Sequence, residues 1–184
     1  MEFLGQLWLP IVVSALVVFV ASAATHMLVP YRRTEWRHAP GEGAIQQALK
    51  GAAPGLYAFP MPTDAGERNK PEAMKRWAEG PSGWLALVPP GPTDMGRNLA
   101  LSLGVNLLVS FLAAYASFLA LGAAAPYLPV MRVVSVIGFL AYAVGPVYEA
   151  IWYWRPGRSL ALIAAESLLF GLLMGGIFGW LWPR

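Results

Sequence analysis

The sequence predicts an all-α membrane protein: four transmembrane helices, with a small mixed α/β cytoplasmic cap between helices 1 and 2. Composition, hydropathy patterning and the placement of the basic residues lead to that reading. The 184 residues are 57% hydrophobic and only 12% charged, about half the charge of a soluble domain. The missing charge is concentrated in four apolar stretches, near 4–29, 98–122, 129–153 and 159–182. Each is at least as long as the ~20 residues that a helix needs to cross a hydrocarbon core. The stretches are continuous rather than alternating, which favours helices over barrel strands as the way to satisfy backbone groups in lipid. The chain divides accordingly into a first transmembrane helix (1–29), a cytoplasmic cap (30–97) and transmembrane helices 2 to 4 (98–184).

The first stretch contains Ala21-Ser22-Ala23, a pattern like that of a secretory cleavage site. The segment before it carries no positive charge, and the apolar run is longer than a signal-peptide core, so it is read as a retained span. Eleven of the thirteen Lys and Arg fall on one side of the four-span arrangement. Nine lie between spans one and two, and Arg155 and Arg158 fill the turn between spans three and four; Arg132 and Arg184 lie opposite. By the positive-inside rule both termini face away from the cytoplasm of an inner membrane, and the 30–97 region faces into it. Aromatic residues mark the expected interfaces: Trp152, Tyr153 and Trp154 inside, and Trp8, Tyr127, Trp180 and Trp182 outside. The formal charge of +3 is therefore a topology signal, and no nucleic-acid partner is expected. The bilayer is the first partner.

Residues 30–97 are too long for a plain loop and too short for an ordinary domain. "PGEGAIQQALKG" (40–51) reads as a short helix stopped by Gly51. "NKPEAMKRWAEGP" (69–81) reads as a second, with Pro71 in its first turn, Met74, Trp77 and Ala78 on one face, and Gly80 as the stop. "GLYAFPMP" (55–62) and "GWLALVPPGP" (83–92) read as short extended segments closed by prolines. So small a unit cannot bury enough surface to stand alone and is expected to lie against the membrane face.

Strongly polar residues inside spans cost on the order of 3 kcal/mol on insertion scales, so they are the best pointers to function. At about 1.5 Å of rise per residue, His26 lies about 6 Å from the cytoplasmic end of its span, Glu149 about 8 Å, Glu166 about 10 Å and Asn106 about 12 Å. Four helices thus place one polar group each in a single layer. In span two, Ser102, Asn106, Ser110, Ala113 and Ser117 share a face; in span three, Ser135, Gly138, Tyr142, Gly145 and Glu149 do. Pro146 frees the carbonyl of Tyr142. His26, Asn106, Tyr142, Glu149 and Glu166 are the candidate ion, proton or ligand site.

The last span, "AAESLLFGLLMGGIFGW" (164–180), carries glycines at every fourth position. With Glu166 at zero, Gly171, Gly175 and Gly179 fall at about 140°, 180° and 220° on the helical wheel. If Glu166 points inward, this ridge points outward, as a close-packing joint with a second copy or a partner membrane protein; packing on span one is the alternative.

The chain has no cysteine, which excludes disulfides, thiolate metal sites, iron–sulfur clusters and cysteine nucleophiles. One His and two Glu suit Zn, Mn or non-haem Fe, yet the Glu-x-x-His pair of di-iron bundles is missing. His38, the other histidine, lies outside the spans, which argues against a bis-histidine haem. There is no Walker loop, H-E-x-x-H or G-x-S-x-G motif. No particular metal, cofactor or catalytic residue is indicated.

"GPSGWLALVPPGP", "MGRNLAL", "YEAIWYWR" and "GGIFGWLWPR" together resemble an uncharacterised family of bacterial four-span membrane proteins of about this length. The resemblance implies the topology and an inner-membrane location, and it implies no activity. The leading expectation is a non-enzymatic structural or accessory subunit, a homo-oligomer or the companion of another membrane protein, assembled through the helix-4 glycines. The alternatives are a cation- or proton-handling site in the polar layer, or an enzyme acting on a lipid or quinone with Glu149 and Glu166 as an acid/base pair.

Overall fold

The computed structural model describes residues 2–28, 36–62, 64, 66–153 and 157–183. Pro30, Arg32, Arg33, Trp154, Arg155 and Arg184, which bear on the topology, lie outside the described residues. The chain forms α1 (Glu2–Leu28), α2 (Glu42–Ala48), β1 (Gly55–Phe59), α3 (Pro71–Glu79), β2 (Gly83–Leu87), α4 (Met95–Leu121), α5 (Tyr127–Trp152) and α6 (Gly157–Leu181). Four of these helices, α1, α4, α5 and α6, are long and apolar enough to cross a membrane. Together they make one compact unit, and His38–Thr93 makes a second.

Local chemistry sets the helix ends. The α4 helix begins at Met95, a few residues before its apolar run, because the Asp94 side chain accepts a 2.9 Å hydrogen bond from the amide of Arg97. It ends at Gly122, whose φ of +69° favours glycine and whose amide bonds the Phe118 carbonyl. Pro126 stands immediately before α5, and Pro146 lies inside it.

Each long helix packs on two others: α1 on α4 and α6, and α5 on α4 and α6, with α5 on α6 the largest contact. The buried stripe of α1 runs Leu7, Pro10, Ile11, Ser14, Ala15 and Val18, the three-and-four spacing of a helix face. Phe3, at the start of α1, meets Phe111, Tyr115 and Phe118 near the end of α4, with ring centroids 5.7 to 5.8 Å apart. The two helices are therefore antiparallel. Trp182 joins this aromatic end through Phe118 and Phe178. Its indole Nε1 donates to the Gly122 carbonyl at 3.2 Å, and the Ala124 amide donates to the Pro183 carbonyl at 3.0 Å. The last residues of the chain thus fasten the α4–α5 turn. In lipid such packing and hydrogen bonding, rather than burial from water, holds helices together.

In the His38–Thr93 unit, β1 and β2 pair antiparallel, from Gly55 opposite Leu87 to Phe59 opposite Gly83. The Phe59–Pro60 and Gly80–Pro81 peptides, both cis, lie at one end of the pair. Between the strands runs α3, with Pro71 in its first turn and Gly80 (φ +55°) after it. Trp77 Nε1 donates to the Pro60 carbonyl at 3.1 Å, and Arg68 lies 6.0 Å from the same ring. The inward face of α3 is Ala73 and Trp77, in place of the expected Met74, Trp77 and Ala78. Ala73 is buried and Trp77 half-buried, whereas Met74 and Ala78 are exposed. Trp77 is drawn toward Pro60 by its hydrogen bond, and Ala73 lies one turn behind it.

Candidate functional site

Of the five candidate residues, two are brought into direct contact. The Tyr142 hydroxyl of α5 donates a 2.7 Å hydrogen bond to Asn106 Oδ1 of α4. Asn106 is buried and Tyr142 largely so. One turn along α4, the Ser110 hydroxyl lies 3.4 Å from that of Ser14 on α1, both fully buried. Polar bonds therefore link α5 to α4 and α4 to α1 at neighbouring levels.

Glu166 is also inside, with only 8% of its surface exposed. It lies one turn from Phe170, whose ring meets that of Tyr142 edge-on at 5.4 Å. Its neighbour Ser167 is 2% exposed. Phe170, one turn along α6, thus links this helix to the Asn106–Tyr142 pair.

His26 and Glu149 do not join them. Both are exposed. His26 Nδ1 donates to the carbonyl of Ser22, one turn back on its own helix, at 2.8 Å. Of the expected five-residue layer, Asn106, Tyr142 and Glu166 are thus inside, while His26 and Glu149 are exposed. The cause is rotational. The buried stripe of α5 runs through Val130, Val134, Gly138, Ala143 and Ala150, which leaves Gly145 and Glu149 off it and exposed. Ser102 of α4 is likewise exposed and bonds the Asn98 carbonyl at 2.8 Å. Among the described residues no group of three His, Asp or Glu side chains is placed to hold a metal ion.

The Gly171, Gly175 and Gly179 ridge is indeed a close-packing surface, but its partner is α5 of the same chain. A Cβ on Gly171 would lie 2.6 Å from the Ser135 carbonyl oxygen and 2.9 Å from the Phe139 amide. One on Gly175 would collide with Ser135 Oγ and the Met131 carbonyl, and one on Gly179 would lie 2.8 Å from the Tyr127 ring. From the other side, a Cβ on Gly138 would lie 3.0 Å from both the Gly171 Cα and the Met174 sulfur. The outward joint with a second copy, and the alternative of span one as its neighbour, are both corrected. Because α6 is flanked by α5 and by α1, its carboxylate face and its glycine face are both inside.

Sequence reasoning missed Ser14 and Ser167. Ser14 lies in a run so uniformly apolar that no periodicity marks a face, and Ser167 is overshadowed by its neighbour Glu166. The available signal was that each is a small hydroxyl residue deep within its span. On the outer side of the α5–α6 seam an open groove is lined by Ser135, Val136, Phe139, Ala164, Ala165 and Leu168, an apolar lining that suits hydrocarbon better than water or ions. No family model, curated protein or solved structure matches the chain.

Proposed function

We propose that this chain is a non-enzymatic integral membrane protein, a structural or accessory subunit whose four long helices hold the 38–93 unit at the cytoplasmic face of a bacterial inner membrane. The observation that carries this reading is the use made of the interior polar groups. Asn106 is engaged by Tyr142, and Ser110 by Ser14, so polar side chains on three helices serve as interhelical ties. The distribution of Lys and Arg supports the orientation, with both termini outside the cytoplasm. Any contact with a second copy or another membrane protein uses a surface other than the glycine ridge, which α5 covers.

Native mass spectrometry of the protein released from its own membranes in a mild detergent tests the reading. A dimer, or a complex with a second protein, carrying no metal supports it. A lone chain retaining a metal ion that Glu166→Gln removes sinks it.

One observation favours a second reading. Glu166 is a carboxyl buried among helices, and a buried carboxyl can hold a proton or a monovalent cation. On that reading Glu166→Gln abolishes proton- or cation-dependent behaviour in reconstituted vesicles while the protein remains folded.

A further inference from the structure

We propose that one face of the β1–β2 pair seats on the lipid interface of the membrane that the long helices cross. Side chains alternate along a strand, so the register puts Leu56, Ala58, Trp84 and Ala86 on one face and Tyr57, Phe59 and Leu85 on the other. The first face carries no charged side chain and no hydroxyl. Leu56 is 82% exposed and Trp84 58%, and Val88, just beyond β2, is 71% exposed. Exposed apolar side chains gathered on one face mark a contact surface.

The tether identifies the occupant. From Leu87, the end of β2, to Met95, the start of α4, there are eight residue steps. At no more than ~3.6 Å each, they reach about 29 Å at most, roughly the thickness of one hydrocarbon core. The apolar face is therefore within reach of a membrane boundary, and a short link gives a high effective concentration there. Trp84 has the amphipathic ring that favours the headgroup level. Charge argues against an anionic polymer as partner. Within 38–93, Lys50, Arg68, Lys70, Lys75 and Arg76 are matched by Glu42, Asp64, Glu67, Glu72 and Glu79. Attachment should thus depend on apolar contact and be indifferent to lipid charge.

Because the chain has no cysteine, single labels are clean. The full chain is prepared as Leu56→Cys, Ala86→Cys and, as a control on the exposed side of α3, Lys75→Cys. Each is labelled with an environment-sensitive nitrobenzoxadiazole dye and placed in phosphatidylcholine nanodiscs, which leave both membrane faces open. The expected result is blue-shifted emission at 56 and 86, quenched by lipids bearing an acyl-chain nitroxide and unchanged by added anionic lipid. The label at 75 should emit as in water and be quenched by iodide. Emission at 56 and 86 matching that at 75 overturns the proposal. A blue shift without quenching by the nitroxide lipid also overturns it, because protein would then cover the face. The two sites on one face guard against a local effect of either substitution.

Discussion

Tyr142 and Asn106 are joined by a 2.7 Å hydrogen bond between α5 and α4. Each residue sits on the inward side of its own helix, and each would otherwise leave a polar group in an apolar interior. Asn106 is the stronger of the two structural determinants, since an amide without partners costs more to bury than a phenol that can turn toward an interface.

The bond should be measurable as a coupling energy. Asn106→Leu and Tyr142→Phe are each expected to destabilise the protein by about 1 kcal/mol, rising toward ~3 kcal/mol where a partner is left unsatisfied. The double variant should cost less than the sum of the singles. Unfolding in mixed micelles of increasing sodium dodecyl sulfate content reads all three, and strict additivity would show the contact to be idle.

The glycines of α6 provide a test with its own control, because Gly175 and Gly176 are adjacent. A methyl group at 175 collides with Ser135 and with the Met131 carbonyl, whereas one at 176 finds nothing nearer than the Tyr127 hydroxyl at 3.9 Å. Gly175→Ala should therefore cost about 1 to 3 kcal/mol through forced separation of α5 and α6. Gly176→Ala should be neutral or gain up to about 1 kcal/mol from helix propensity. Ser135→Ala in the Gly175→Ala background relieves only the side-chain half of the collision, so rescue should be partial. Equal effects at 175 and 176 in the same micelle titration would refute the packing.

The long helices were legible because length and apolarity suffice to identify a spanning segment. The short elements of 38–93 were legible from their prolines and glycines, with Pro71 and Gly80 bracketing α3. Facing was read well along α4, where Asn106, Ser110, Ala113 and Ser117 are all buried, and only in part along α5, where Gly145 and Glu149 are exposed. It was read poorly where contrast was lacking, so Ser14 was missed. The glycine ridge shows a different limit. A helical wheel gives the angle between Glu166 and Gly175, but it cannot say how many neighbours surround α6. Two flanking helices of the same chain made both faces interior.

The two acidic residues of the spans should behave differently despite their similar positions in the sequence pattern. Glu149 is exposed near the end of α5 and keeps a contact of its own, so Glu149→Gln is expected to change stability by no more than about 1 kcal/mol. Glu166 is buried, and Glu166→Ala removes both a polar contact and volume from the interior, for an expected loss of about 1 to 3 kcal/mol. Glu166→Gln, which keeps the shape, should recover most of that loss. Thermal inactivation curves of the detergent-solubilised variants separate the three.

The last turn of the chain should act as a clasp. Trp182 is buried against Phe118 and Phe178, and its indole holds the Gly122 carbonyl at 3.2 Å. Beside it the Pro183 carbonyl receives the Ala124 amide, and Ala124 sits at φ +61°, a conformation that side chains rarely adopt. Trp182→Phe keeps an aromatic ring and removes the hydrogen-bond donor, so it should cost about 1 kcal/mol. Trp182→Ala also removes the packing and should cost about 3 to 5 kcal/mol if the surroundings do not collapse. The effect should be local before it is global, because a turn opens more easily than a helix pair. Amide hydrogen exchange at 122–125 is therefore expected to speed up in Trp182→Phe while exchange in the middle of α5 and α6 is unchanged. Unaltered exchange at that turn would mean that the tryptophan contributes packing alone.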